Sequence, residues 1–146
     1  MPKLFTLKEA ELAIPLIEQQ LNQAMAAKRK ASQIDKQLEE ISTRIHFSGG
    51  ADVNPGTVLE QRCQKEAAIQ QLREAIDSVQ KIGCLIKDLD TGLIDFPATL
   101  DNHEVYLCWK LGEPRIDYWH SIDNGFSGRQ PILDRFGPHA EECKPN

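Results

Sequence analysis

The chain predicts an α+β fold: a long antiparallel helical hairpin followed by a small antiparallel sheet of three or four strands. Three observations carry this. Apolar residues repeat every three or four positions through the first half, the period of a helix. Composition then shifts near residue 90: both Trp, both Tyr, three of five Phe and five of eight Pro follow it. The early segment is rich in helix formers, whereas the late one holds short apolar runs separated by Gly, Pro, Asp and Asn, the punctuation of strands and turns.

The first helix starts at about Leu7. Thr6-Leu7-Lys8-Glu9 fits a capping box, in which the Thr6 hydroxyl accepts from the Glu9 N–H and the Glu9 carboxylate reaches back. Pro15 lacks an N–H, so the sequence predicts a kink or break just before it. Beyond it, Ile14, Ile17, Leu21, Ala24, Ala27, Ala31, Ile34, Leu38, Ile41 and Ile45 form one helical stripe. A helix from Pro15 to His46 is roughly 48 Å long at 1.5 Å per residue. Ser48-Gly49-Gly50 ends it, and Asn54-Pro55 restarts the chain with an N-cap and a first-turn proline. Leu59, Cys63, Ile69, Leu72, Ile76, Val79 and Ile82 supply the second stripe, and Gly83 suits the C-cap. A short loop between long helices makes them antiparallel neighbours. Lys28-Arg29-Lys30 reads as a solvated face.

Residues 93–98, 105–110 and 115–120 read as strands, and Leu85–Lys87 as a candidate fourth. A four-residue second turn would set Lys110 opposite Arg115, Leu107 opposite Tyr118 and Cys108 opposite Asp117. Hydrophobic alternation pairs Phe96 with Leu107. Ile94, Phe96, Val105, Leu107, Trp109, Ile116 and Tyr118 then share a core face, with His120 at its end. Asp95, Tyr106, Cys108, Asp117 and Trp119 share the other face.

The balance of charge narrows the partners. Lys+Arg is 17 and Asp+Glu is 22, a net of -5 with a pI near 5.4, which argues against a nucleic-acid binder or a polybasic membrane anchor. No apolar stretch is long enough for a membrane span, and no signal-peptide core stands at the N-terminus. A cytoplasmic protein is expected, with its four cysteines reduced. The hairpin and sheet read as one domain over 1–132 (hairpin 6–83, sheet and turns 84–132), with 133–146 as a flexible tail.

Several segments together resemble an uncharacterised prokaryotic family, domain of unknown function 2203. They are Phe5-Thr6-Leu7-Lys8-Glu9-Ala10 with Pro15, Gly92-Leu93-Ile94-Asp95-Phe96-Pro97-Ala98, Val105-Tyr106-Leu107-Cys108-Trp109, Gly112-Glu113, Tyr118-Trp119-His120, and Gly125-Phe126 with Arg129 and Pro131. The resemblance spans about residues 4–132, and its specific part follows Gly92. It implies no activity, cofactor or catalytic residue.

The chemistry-bearing residues are Asp95, Cys108, Asp117, Trp119, His120 and Arg129. Two carboxylates beside Cys108 would raise its thiol pKa and argue against a nucleophile. A metal set of Asp95, Cys108, Asp117 and His103 would mix hard and soft ligands. His120 suits a general base oriented by Glu113 or Asp123, or a histidine bonded to backbone at a strand end. Arg129 suits a bidentate clamp on a carboxylate or phosphate, or a pin that holds its turn onto Asp95 or Asp117. Gly125-Phe126 would then fold back, with Phe126 on Trp119. His139 and Cys143 have the spacing of a ligand pair, but two ligands make no structural zinc site. Cys63 reads as a small core residue. No phosphate loop, dinucleotide fingerprint, nucleophile elbow or zinc-protease motif is present. The first function expected is an interaction or scaffold protein that forms homo-oligomers through its hairpin, with room for another protein partner. The alternative is a small-molecule- or metal-binding module on the sheet, with enzymatic activity left open and no cofactor named.

Overall fold

A computed structural model describes residues 3–50, 53–123 and 128–140. Among the described residues two helices, α1 (Leu7–Ser48) and α2 (Pro55–Ile82), precede five strands. The strands are β1 (Leu85–Asp88), β2 (Leu93–Leu100), β3 (His103–Lys110), β4 (Tyr118–Ser121) and β5 (Gln130–Pro131). They form one antiparallel sheet in sequence order. The expected α+β hairpin-then-sheet arrangement is therefore present, with one strand more than the sequence suggested. The chain divides into two compact units, Met1–Leu21 with Ile76–Asn146, and Asn22–Ala75.

The capping box forms as read. Thr6 N donates to Glu9 Oε1 at 2.9 Å, and Glu9 N donates to Thr6 Oγ1 at 3.1 Å. The expected break at Pro15 does not occur, because α1 is continuous through it. Pro15 is exposed while Ile14 and Ile17 beside it are buried. Anchoring of the apolar face on both sides of Pro15 outweighs the single hydrogen bond it forfeits.

In the unit Asn22–Ala75 the helices run antiparallel, with Gln61 Nε2 donating to Gln37 Oε1 and Lys65 paired to Asp35. Ala24, Ala27, Ile34, Ala68 and Ala75 are its buried apolar residues. Small residues at the seam let the two backbones approach closely. The phase of α2 differs from the stripe read in sequence. Gln61, Lys65, Ala68, Leu72 and Ala75 make up its covered side, while Leu59 and Cys63 are exposed. Cys63 is thus a surface residue, because the alanines take the inward positions that the larger residues were expected to fill.

In the other unit one sheet face builds the core. Ile94, Phe96, Ala98, Val105, Leu107, Trp109 and Trp119 pack with Leu7, Ala10, Ile14, Ile17, Leu21 and Val79. β2 and β3 pair as alternation predicts, Phe96 with Leu107, through a two-residue turn. Asp101 and Asn102 carry φ of 52° and 66° there, the twist a tight hairpin needs. Gly92 is required sterically: its φ is +72°, and a Cβ would lie 2.4 Å from Leu111 Cβ.

A buried carboxylate ties helix, loop and C-terminal segment together. Glu11 accepts from Ile116 N at 3.0 Å, Ala140 N at 2.8 Å and His139 Nδ1 at 2.7 Å. Those donors balance its desolvation.

Since α1 is continuous, replacing Pro15 with Ala restores one backbone bond on an exposed face. The expected outcome in urea denaturation is stabilisation by about 1–3 kcal/mol. A loss of stability would mean that the proline shapes a bend the rest of the fold needs.

Candidate functional site

The β3–β4 register decides what lies on the outer sheet face. Tyr106 pairs with His120, Leu107 with Trp119 and Cys108 with Tyr118. The sequence reading set Leu107 against Tyr118, one residue away. Such a slip reverses both faces of a strand, so Trp119 belongs to the core and His120 to the outer face, not the reverse.

The physical reason is the connection. β4 begins at Tyr118, so residues 111–117 form a seven-residue loop instead of a four-residue turn. The loop is held internally. Glu113 N donates to Lys110 O at 3.0 Å, Lys110 N donates to Glu113 Oε1 at 2.7 Å, and Trp109 Nε1 donates to Glu113 O at 2.9 Å. Its far end drops Ile116 fully into the core, where Glu11 receives the Ile116 N–H.

Three candidate residues now meet. Asp95 and Cys108 are cross-strand partners on β2 and β3, and His120 lies on β4. They are 1%, 0% and 3% exposed. One ligand-type atom from each lies within 4.8 Å of the others. His120 Nε2 is 3.0 Å from both Asp95 oxygens, and Nδ1 is 2.8 Å from the Ser121 carbonyl oxygen. A carbonyl can only accept, so that contact assigns a proton to Nδ1 and turns Nε2 toward Asp95. The Tyr106 ring packs on His120 at 5.5 Å between centroids.

The other candidates lie apart from this trio or around it. Asp117 is bonded to Arg115 at 3.0 Å, and Tyr118, not Asp117, stands opposite Cys108. His103 is exposed at the start of β3. Trp119 packs beside Phe136 at 5.9 Å on the core face. Arg129 neither pins Asp95 nor Asp117: its Nη2 donates to both Glu113 oxygens at 2.9 Å, and its guanidinium lies 4.1 Å from the centre of the Tyr118 ring. Glu113 orients Arg129 and not His120, whose carboxylate partner is Asp95. His139 is bonded to Glu11. Gly125, Phe126 and Cys143 lie outside the described residues.

Local pattern alone does not reveal the meeting of His120 with Asp95 and Cys108. One signal could have found it. Of the neighbours Tyr118 and Trp119, the larger and more apolar belongs in the core, and this choice alone turns His120 outward.

The thiols differ in electrostatics. Burial pushes Cys84 up to about 11. Burial, then the Asp95 carboxylate, pushes Cys108 up to about 12. Both thiols stay protonated at neutral pH, which excludes a resting thiolate nucleophile. Their ordinary value is 9.0. The folded state therefore holds protons that the unfolded chain releases above pH 9, and stability falls as pH rises from about 9 toward 12. An aromatic disulfide reagent at pH 8 is expected to modify exposed Cys63 at once, while Cys84 and Cys108 react only on unfolding. Rapid loss of Cys108 in the folded protein would contradict this reading.

A family model described as an uncharacterised conserved protein, DUF2203, matches residues 3–132. No curated protein and no solved structure matches the chain. No described helix is long and apolar enough to cross a membrane. With nearly the whole sheet unit and the hairpin inside the match, the chain belongs to the DUF2203 family.

Proposed function

We propose that the protein binds a divalent transition metal, of the zinc class, through Asp95 Oδ, Cys108 Sγ and His120 Nε2. The observation that carries this reading is the convergence of three different buried donors within 4.8 Å of one another. Oxygen, sulfur and imidazole nitrogen together suit zinc, cobalt or ferrous iron better than magnesium or calcium. The Ser121 carbonyl supports the reading, since a metal-binding imidazole commonly donates its second N–H to such an acceptor. A bound dication reverses the electrostatics at Cys108, because a coordinated thiol gives up its proton. Three protein ligands leave a tetrahedral ion one further position, the pattern of reactive zinc sites rather than closed structural ones. The free thiols of Cys63, Cys84 and Cys108 suit a reducing compartment, and we propose a cytoplasmic location with them.

Purified without chelator or affinity tag, the protein is expected to hold about one equivalent of zinc by elemental analysis. Cobalt substitution should give a sulfur-to-cobalt charge-transfer band. Cys108→Ser should remove the band and weaken metal binding by about a hundredfold or more, since even outer partners of a ligand are worth 10–100-fold. A folded protein that takes up neither metal rejects the reading.

A second reading, self-association, is favoured by a separate observation in the unit Asn22–Ala75. Leu38, Ile41 and Leu72 are only half-buried, and Ile45, Phe47 and Leu59 are exposed. Two helices make one seam and no second layer. Association of hairpins would cover these residues and make the protein an assembly component. Sedimentation equilibrium at micromolar concentration should then show a species heavier than the 16.5 kDa chain. Phe47→Glu with Leu59→Glu should shift it toward the monomer. A monomer throughout rejects this second reading.

A further inference from the structure

Resting on the metal-binding reading, we infer that the open position of this centre takes an oxyanion, a carboxylate or a phosphate, and that Glu113 holds Arg129 in place of that ligand. The geometry beside the trio carries the inference. Tyr118 pairs with Cys108 across β3 and β4, so its ring lies on the same sheet face. The Arg129 guanidinium stacks on that ring at 4.1 Å. A positive charge is therefore held on the sheet face that carries the sulfur donor.

Its partner is itself an oxyanion. Both Glu113 oxygens lie 2.9 Å from Arg129 Nη2. The two side chains are 14% and 25% exposed, so the pair is largely withdrawn from water. A guanidinium so placed is suited to planar two-oxygen groups. Glu113 belongs to the loop 111–117 and Arg129 to the segment before β5, so the contact joins two irregular segments and can open without breaking the sheet ladder.

Charge balance selects the ligand class. A dication with the Asp95 carboxylate, the Cys108 thiolate and neutral His120 sums to zero. A neutral ligand would leave it so and would have no need of Arg129. An oxyanion brings a negative charge into a site whose three ligands are at most 3% exposed. Uncompensated, that charge is costly to bury. Arg129 released from Glu113 supplies the compensation, with the oxyanion bridging metal and guanidinium.

The test uses the full-length cobalt-loaded protein. Inorganic phosphate and acetate are titrated separately at constant ionic strength, balanced with perchlorate, while the visible cobalt bands are recorded. A saturable change with either anion supports the proposal, and the anion that acts names the source as phosphate-like or carboxylate-like. Arg129→Gln should raise the half-saturating concentration by about tenfold while the sulfur-to-cobalt band persists. Glu113→Gln keeps an acceptor for Lys110 N and removes the competing charge, so it should lower that concentration, a gain that misfolding cannot mimic. Cobalt bands that ignore both anions, or respond equally in wild type and Arg129→Gln, overturn the proposal and leave the metal reading standing. A protein without the sulfur-to-cobalt band overturns both.

Discussion

The register between β3 and β4 is the constraint on which the outer sheet face depends. It is set from outside the ladder. Ile116 fills the core, and its N–H is held by Glu11, a residue 105 positions earlier in the chain. With that anchor fixed, the loop spends its residues so that Trp119, and not Tyr118, faces Leu107. A slip by one residue would push His120 into apolar surroundings and expose Trp119. Loss of buried aromatic area costs about 2–3 kcal/mol, and an unpartnered polar ring adds a similar penalty. The apolar packing on one face thus fixes the polar chemistry on the other.

Two buried carboxylates are satisfied in contrasting ways. Glu11 is met by two backbone N–H groups and one imidazole, donors fixed by the chain path. Its hydrogen-bonding capacity is taken up in joining helix, loop and C-terminal segment. Asp95 is met instead by side chains, a thiol and an imidazole, both groups of a kind that can ligate a metal. Their geometry is held by three neighbouring strands, so donor positions are fixed by the sheet rather than by flexible loops. Rigid placement of unlike donors is what a selective metal site needs.

Much of this was legible in the sequence, and the failures share a cause. The Thr6–Glu9 cap, the helical hairpin and the Phe96–Leu107 register follow from local pattern: capping chemistry, period and alternation. So does the neighbour relation of Asp95 and Cys108. The β3–β4 register does not, because a seven-residue loop anchored by Glu11 leaves no mark on local periodicity. For that reason local pattern puts His120 on the wrong face and sets Asp117 opposite Cys108, where Tyr118 stands. For Arg129 local pattern offers a clamp on a bound anion or a pin onto Asp95 or Asp117; the carboxylate it meets is instead Glu113, brought to it by the 111–117 loop and the fold-back of β5. Pro15 and Cys63 failed differently. At each, local preference was outweighed by packing: buried Ile14 and Ile17 on α1, and inward alanines on α2.

In the proposed site, sulfur, nitrogen and oxygen from three adjacent strands would hold one ion together. X-ray absorption at the zinc edge of the zinc-loaded protein addresses it most directly. The expected spectrum contains a single sulfur at about 2.3 Å with nitrogen and oxygen scatterers at about 2.0–2.2 Å, and Cys108→Ser replaces the sulfur shell with light atoms alone. A wild-type spectrum without sulfur, or with a sulfur shell that survives Cys108→Ser, would contradict it.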